Sequence, residues 1–191
     1  MRLAHPHSEV AHVMLADAHA QVYAVRERGE SGPPAVTYFG CAYGADRAYP
    51  LGQNGAGSSG SAGGSSEPAV LAGTTVVVTG DSYSTVGWGP EHTESLWVES
   101  LRTGKVLRSW SSTEGLGISS VVVKPDGAVA WIAASWVNTS TGAHEEWVYA
   151  SDRSGLRTLA SAENIDTRSL ALAGSTVYWT QGGRPQSAPL D

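Results

Sequence analysis

The sequence predicts an all-β protein made of four antiparallel meanders, and three observations carry that expectation. First, a strand, a tight turn and an apolar strand recur at residues 71–78, 124–132 and 172–179, with Gly73, Gly127 and Gly174 in the turns. A weaker copy runs from Val13 to Val25, with Ala18-His19-Ala20-Gln21 in place of the glycine turn. Second, taking Val22, Val76, Val129 and Val177 as equivalent gives intervals of 54, 53 and 48 residues, the spacing of a repeated supersecondary unit. Third, the strands after those turns, at 75–79, 128–134 and 176–180, are apolar without clean alternation, so each must be covered on both faces.

Small antiparallel sheets stacked face to face supply that double cover. The expected architecture is therefore a β-propeller of about four antiparallel four-stranded blades, or a fragment of a larger propeller, within one domain over 1–191. The first unit takes its hairpin from 13–25, its third strand from 36–39 and its fourth from 47–51. The second continues from the hairpin at 71–79 to 96–101 and 106–110, joined by a turn at 102–105. The third runs through 128–134, 147–151 and 156–160, with a turn at 152–155. Gly104 and Gly155 supply the positive φ that such turns favour. In the fourth unit the turn at 181–183 leaves room only for 185–190, so an outer strand is missing. Residues 2–10 are expected to supply it and leave no open edge.

Residues 53–66 are almost entirely Gly, Ser and Ala, a composition too poor in apolar surface to offset its ordering entropy, and are expected to form a flexible loop. Within them Gly55-Ala56-Gly57-Ser58-Ser59-Gly60 spells a dinucleotide fingerprint. That motif needs a following helix, and Gly63, Gly64 and Pro68 follow instead, so the match is read as coincidence.

Composition narrows the partners. The chain has 12 basic and 18 acidic residues, a formal charge of -6, which repels phosphate backbones and makes nucleic acid an unsuitable partner. No apolar run approaches the roughly 18 residues of a membrane span. Residues 1–10 carry Arg2, His5, Pro6, His7 and Glu9 where an export signal would be apolar, so an extracytoplasmic location would require a truncated N-terminus. The lone Cys41, in an aromatic stretch at 38–43, reads as an inert core thiol.

The Lys124-Pro125-Asp126-Gly127 turn resembles the hairpins of YVTN and TolB-like β-propellers, and Thr103-Gly104-Lys105 resembles their outer-strand turns. Residues 177–183, ending in Gly182-Gly183, are similar to a kelch repeat. These motifs are generic turn chemistry, so the resemblance implies the propeller architecture and brings no catalytic residue.

Meander topology places the short turns on one rim and the long connections, at 26–34, 53–66, 80–94 and 135–146, on the other. Long loops carry function more often than tight turns do. On them stand Tyr83, Trp88, His92, Trp136 and His144, rings beside polar groups that suit a protein, peptide or carbohydrate ligand. The competing reading has the tryptophans folded back over the sheet ends. His92, Glu94, His144 and Glu145 lack the spacing of a ligand set, so no metal or other cofactor is expected. There is no nucleophile elbow or paired-His motif, and no catalytic residue is assigned. The expected role is a non-catalytic binding module; the alternatives are a propeller enzyme acting on carbohydrate or peptide, and a fragment without separate function.

Overall fold

The computed structural model describes residues 8–27, 35–54, 62–85, 91–113, 115–135 and 144–191. They form four antiparallel sheets, each a meander in chain order. The first holds β1 (Ser8–Ala16), β2 (Ala20–Glu27), β3 (Ala35–Ala42) and β4 (Tyr49–Asn54). The second holds β5 (Ala62–Ala72), β6 (Thr75–Ser84), β7 (Glu91–Ser100) and β8 (Lys105–Ser112). The third holds β9 (Leu116–Val123), β10 (Val129–Ser135), β11 (Glu146–Asp152) and β12 (Gly155–Ala162). The fourth has three strands only, β13 (Ala171–Ala173), β14 (Thr176–Gln181) and β15 (Arg184–Pro189). Among the described residues there is no helix, and hence none long and apolar enough to cross a membrane.

The apolar strands are covered on both sides, as their composition requires. On β6, Val76 and Val78 join Ala20, Val22, Tyr38, Leu51 and Leu101 in a core between the first and second sheets. Val77, of opposite parity, joins Leu96, Val98, Val129 and Trp131 between the second and third. On β10, Val129, Trp131 and Ala133 face the second sheet, while Ala130 and Ile132 pack with Val148, Val177, Trp179 and Leu190 against the fourth. Trp110, Trp131 and Tyr149 form an aromatic cluster in the middle gap, with ring centroids 5.4 to 5.8 Å apart.

Three expectations change. Residues 8–10 do not supply an outer strand to the fourth sheet: they extend β1, with Ser8 opposite Glu27 and Glu9 opposite Arg26; residues 2–7 lie outside the described residues. The free edge of β15 also suits such a partner poorly, because Pro185 and Pro189 share its parity with Ser187. A proline sits in a ladder where its missing amide faces away, which leaves Ser187 as the single donor of those three positions. Second, the expected loop at 53–66 is shorter at both ends: Gln53 and Asn54 lie in β4, Ala62 to Ser66 lie in β5, and 55–61 lie outside the described residues. Glycines serve close approach here: a Cβ on Gly63 would stand 2.8 Å from the Tyr83 ring, and one on Gly64 2.6 Å from the Asp81 carbonyl. Third, Cys41 is half-buried, not buried, because alternation gives the packed face of β3 to Tyr38, Gly40 and Ala42.

The rim of short turns is stitched from sheet to sheet. In the β1–β2 turn, the Asp17 carboxylate accepts from the amides of His19 (2.7 Å) and Ala20 (3.0 Å), and from Gly73 of the β5–β6 turn at 2.6 Å. Thr75 donates its hydroxyl to the Pro125 carbonyl in the β9–β10 turn at 2.8 Å. Lys124 reaches the Leu190 carbonyl at 3.0 Å and the Ser175 hydroxyl of the β13–β14 turn at 3.4 Å. The buried Asp152 closes the series, accepting from Ser154 at 2.8 Å, from Asp191 at 3.1 Å and from the Arg157 guanidinium.

Burial pushes the Asp152 carboxyl up, but the amides of Asp191 and Ser154 and the Arg157 charge outweigh it and hold the group below the usual carboxylate range. Asp17, through its three backbone amides, and Asp126, through the Ala128 amide and Lys124, are also lowered. A depressed folded-state pKa contributes stability that is present above the unfolded value, about 3.9, and is lost as pH falls through the folded value. The melting temperature should therefore fall below about pH 5. Asp152→Asn should weaken that acid dependence and cost on the order of 2 kcal/mol at pH 7, since charge-assisted bonds are replaced by neutral ones; calorimetry across pH measures both.

A second outcome tests the first gap. A Cβ on Gly40 would stand 2.5 Å from Leu101 Cδ2 and 3.0 Å from Leu51 Cδ1, both side chains being buried. Gly40→Ala should lower stability by about 1–3 kcal/mol in urea unfolding, because neither leucine has room to turn away.

Candidate functional site

The opposite rim carries the ends of β2–β3, β6–β7 and β10–β11, where the longer connections begin. Strand parity decides which gap each end faces. On β6, Tyr83 and Asp81 share the parity of Val77, and on β7, His92 and Glu94 share that of Leu96, so all four stand on the face turned to the third sheet. Tyr83 is the register partner of His92, with ring centroids 6.2 Å apart and planes tilted by 35°. Asp81 is the register partner of Glu94, and the Ser65 hydroxyl donates to the Asp81 carboxylate. Burial pushes the Glu94 carboxyl up, and the Asp81 charge adds to the effect. The pair thus sets two carboxyls side by side on one face, one of them more readily protonated than an exposed glutamate.

His144 stands elsewhere. It lies just before β11 and its Nε2 meets Glu146 Oε1 at 2.8 Å. Glu146 is buried on the β11 face turned to the fourth sheet and also accepts from the Ile165 amide at 3.4 Å. The neighbouring Glu145 accepts from the Ser161 hydroxyl, while its amide and carbonyl bond Ser135, both at 2.9 Å. Thus Tyr83 and His92 are brought together and His144 is tied to a different gap. Trp88 and Trp136 lie outside the described residues. No group of three or more metal-ligating side chains occurs among the described residues.

A cleft not expected from the sequence opens on the first sheet. It has a volume of about 830 Å³ and is lined by His12, Val13, Met14, Ala24, Arg26, Val36 and Tyr38. His12, Ala24 and Tyr38 form one cross-strand row, and Arg26 and Val36 the next. Ala24, Val36 and Tyr38 belong to the face that packs on the second sheet. Two register shifts, between Glu9 and His12 and between Val13 and Leu15, interrupt the β1–β2 ladder. Each inserts an extra residue into β1, and the second makes Met14 the residue without a partner. Bulges re-aim side chains and concentrate near sites. Val13 and Met14 are 50% and 42% exposed, whereas Tyr38, which lines the same cleft, is buried. Tyr38 is held as a neutral phenol, its pKa raised by burial and by the Glu67 charge against a hydrogen bond from Asn54. The sequence signal was the loss of alternation at Val13-Met14, which is legible only once the bulge is known.

Comparison with protein-family models, with curated proteins and with solved structures gives no match.

Asp81→Asn removes a charge that holds the Glu94 carboxyl up. The Glu94 pKa should then fall towards, but not reach, the ordinary value, since burial remains; carbon-13 NMR titration of the glutamate side chains reads the shift.

Proposed function

We propose that the chain is a binding module of β-propeller type whose ligand surface is the rim of long connections. The four sheets serve as blades. Supporting this reading, they stack in sequence order, and their first strands come close in turn, β1 to β5, β5 to β9 and β9 to β13, as inner strands do about a propeller axis. The observation that carries the binding role is the asymmetry of the rims. On one rim, turn donors and acceptors are engaged between sheets by Asp17, Thr75 and Lys124. On the other stand an open cleft and the Tyr83–His92 pair beside two carboxyls.

A second reading, hydrolysis of a carbohydrate ligand, rests on the Asp81–Glu94 pair, whose raised Glu94 suits a general acid beside a second carboxyl.

Screening on glycan and peptide arrays should return a ligand whose binding weakens at least about tenfold in Tyr83→Ala or His92→Ala, since rim aromatics carry a large share of such affinity. Both variants should keep their melting temperature within a few degrees. Array binding unaffected by either would move the ligand surface off this part of the rim. Product release from a bound glycan, abolished in Glu94→Gln with binding retained, would favour hydrolysis.

A further inference from the structure

We infer that the cleft on the first sheet takes an alkyl carboxylate, a ligand with an apolar chain and a single anionic head. The inference rests on the binding reading above and adds the ligand's chemical class.

The lining divides in two. Val13, Met14, Ala24 and Val36 are apolar, and the first two are half exposed in a cleft that the buried Tyr38 also lines. Apolar side chains kept in water at the mouth of a cleft gain from an apolar guest. The polar part offers donors: the Arg26 guanidinium and the His12 imidazole lie on neighbouring cross-strand rows. Among the described residues Arg26 makes no ion pair, in a chain whose formal charge is -6. A guanidinium offers a carboxylate two parallel donors. Arg26 stands on the row beyond Tyr38, so the anionic head would lie at that end of the cleft. The volume of about 830 Å³ falls in the range of small-molecule sites.

The edge of β1 argues against the other guest of this polarity, a peptide ending in a carboxylate. A peptide bound along an edge adds a strand and needs an unbroken row of backbone partners. Two bulges between Glu9 and Leu15 break that row. An alkyl chain makes no such demand.

The test uses decanoate, with decyltrimethylammonium as a probe of the same chain and opposite charge. Decanoate should bind saturably and shift the amide resonances of His12, Met14, Arg26 and Tyr38, at least about tenfold more tightly than the cation. Arg26→Gln should remove that preference, and Met14→Ser should weaken both probes. The register partner of Arg26 on β1 is Glu9, so Glu9→Gln should tighten decanoate binding or leave it unchanged. Equal affinity for the two probes, unaltered binding in Arg26→Gln, weaker binding in Glu9→Gln, or shifts that map elsewhere would each overturn the inference. An array ligand dependent on Tyr83 or His92, together with no decanoate binding, would sink this inference alone; the converse pair of results would sink the broader reading instead.

Discussion

Everything in this structure depends on two strand segments that have no exposed face. Val76, Val77 and Val78 of β6, and Val129 to Ala133 of β10, are fully buried although neighbouring side chains point in opposite directions. An antiparallel strand achieves that only between two other layers. The second sheet therefore requires the first and third, and the third requires the second and fourth. At about 0.8 kcal/mol per buried methylene, Val76 and Val78 stabilise one core and Val77 another, through one backbone. The outer sheets lack that constraint, and on β14 Tyr178 is 41% exposed while its neighbours Val177 and Trp179 are buried.

Apolar stacking sets the spacing of the sheets but resists sliding weakly, because it is not directional. The hydrogen bonds between Asp17 and Gly73, Thr75 and Pro125, and Lys124 and Leu190 supply direction. Each starts in a turn or at the strand just after it and ends on the backbone of a neighbouring sheet, so register between sheets is fixed at one rim. Charge strengthens two of the three. The same economy leaves little on that rim to recognise a ligand, since its donors and acceptors are engaged internally. On the opposite rim Tyr83 and His92, and Asp81 and Glu94, are paired within one sheet.

The order of strands was legible because turn chemistry is local: Gly73, Gly104, Gly127, Gly155 and Gly174 all have positive φ, and each stands where a hairpin was read. Double-sided apolar runs likewise reported the stacking. What composition concealed was the use of glycine for close contact. Gly63 and Gly64 read as linker residues by entropy, yet they pair with Tyr83 and Ser82 in the β5–β6 ladder. Of the candidate site, the rim was legible and the partners were not. His92 and His144 sit at similar distances from a strand tryptophan in sequence, but parity sends one into the second gap and the other to Glu146 in the third. The cleft escaped because its walls come from β1, β2 and β3, and because bulges shift parity without leaving a mark in the residue types.

Parity also keeps the two candidate chemistries apart. The cleft opens on the face of the first sheet that packs against Val76 and Val78, whereas Asp81 and Glu94 lie on the Val77 face of the second. A ligand in the first gap and one in the second would be separated by the whole thickness of the second sheet, whose core side chains are packed at interior density and have no room to move independently. Coupling between them would have to pass through β5 and β6, where Ser65 bonds Asp81 and Ser66 bonds the Gln53 amide of β4 at 3.2 Å. Ser65 and Ser66 are adjacent and point to opposite faces, so in this short stretch of β5 hydrogen bonds on the two sides of the sheet share a backbone, as they do at Gly73 and Thr75 on the other rim.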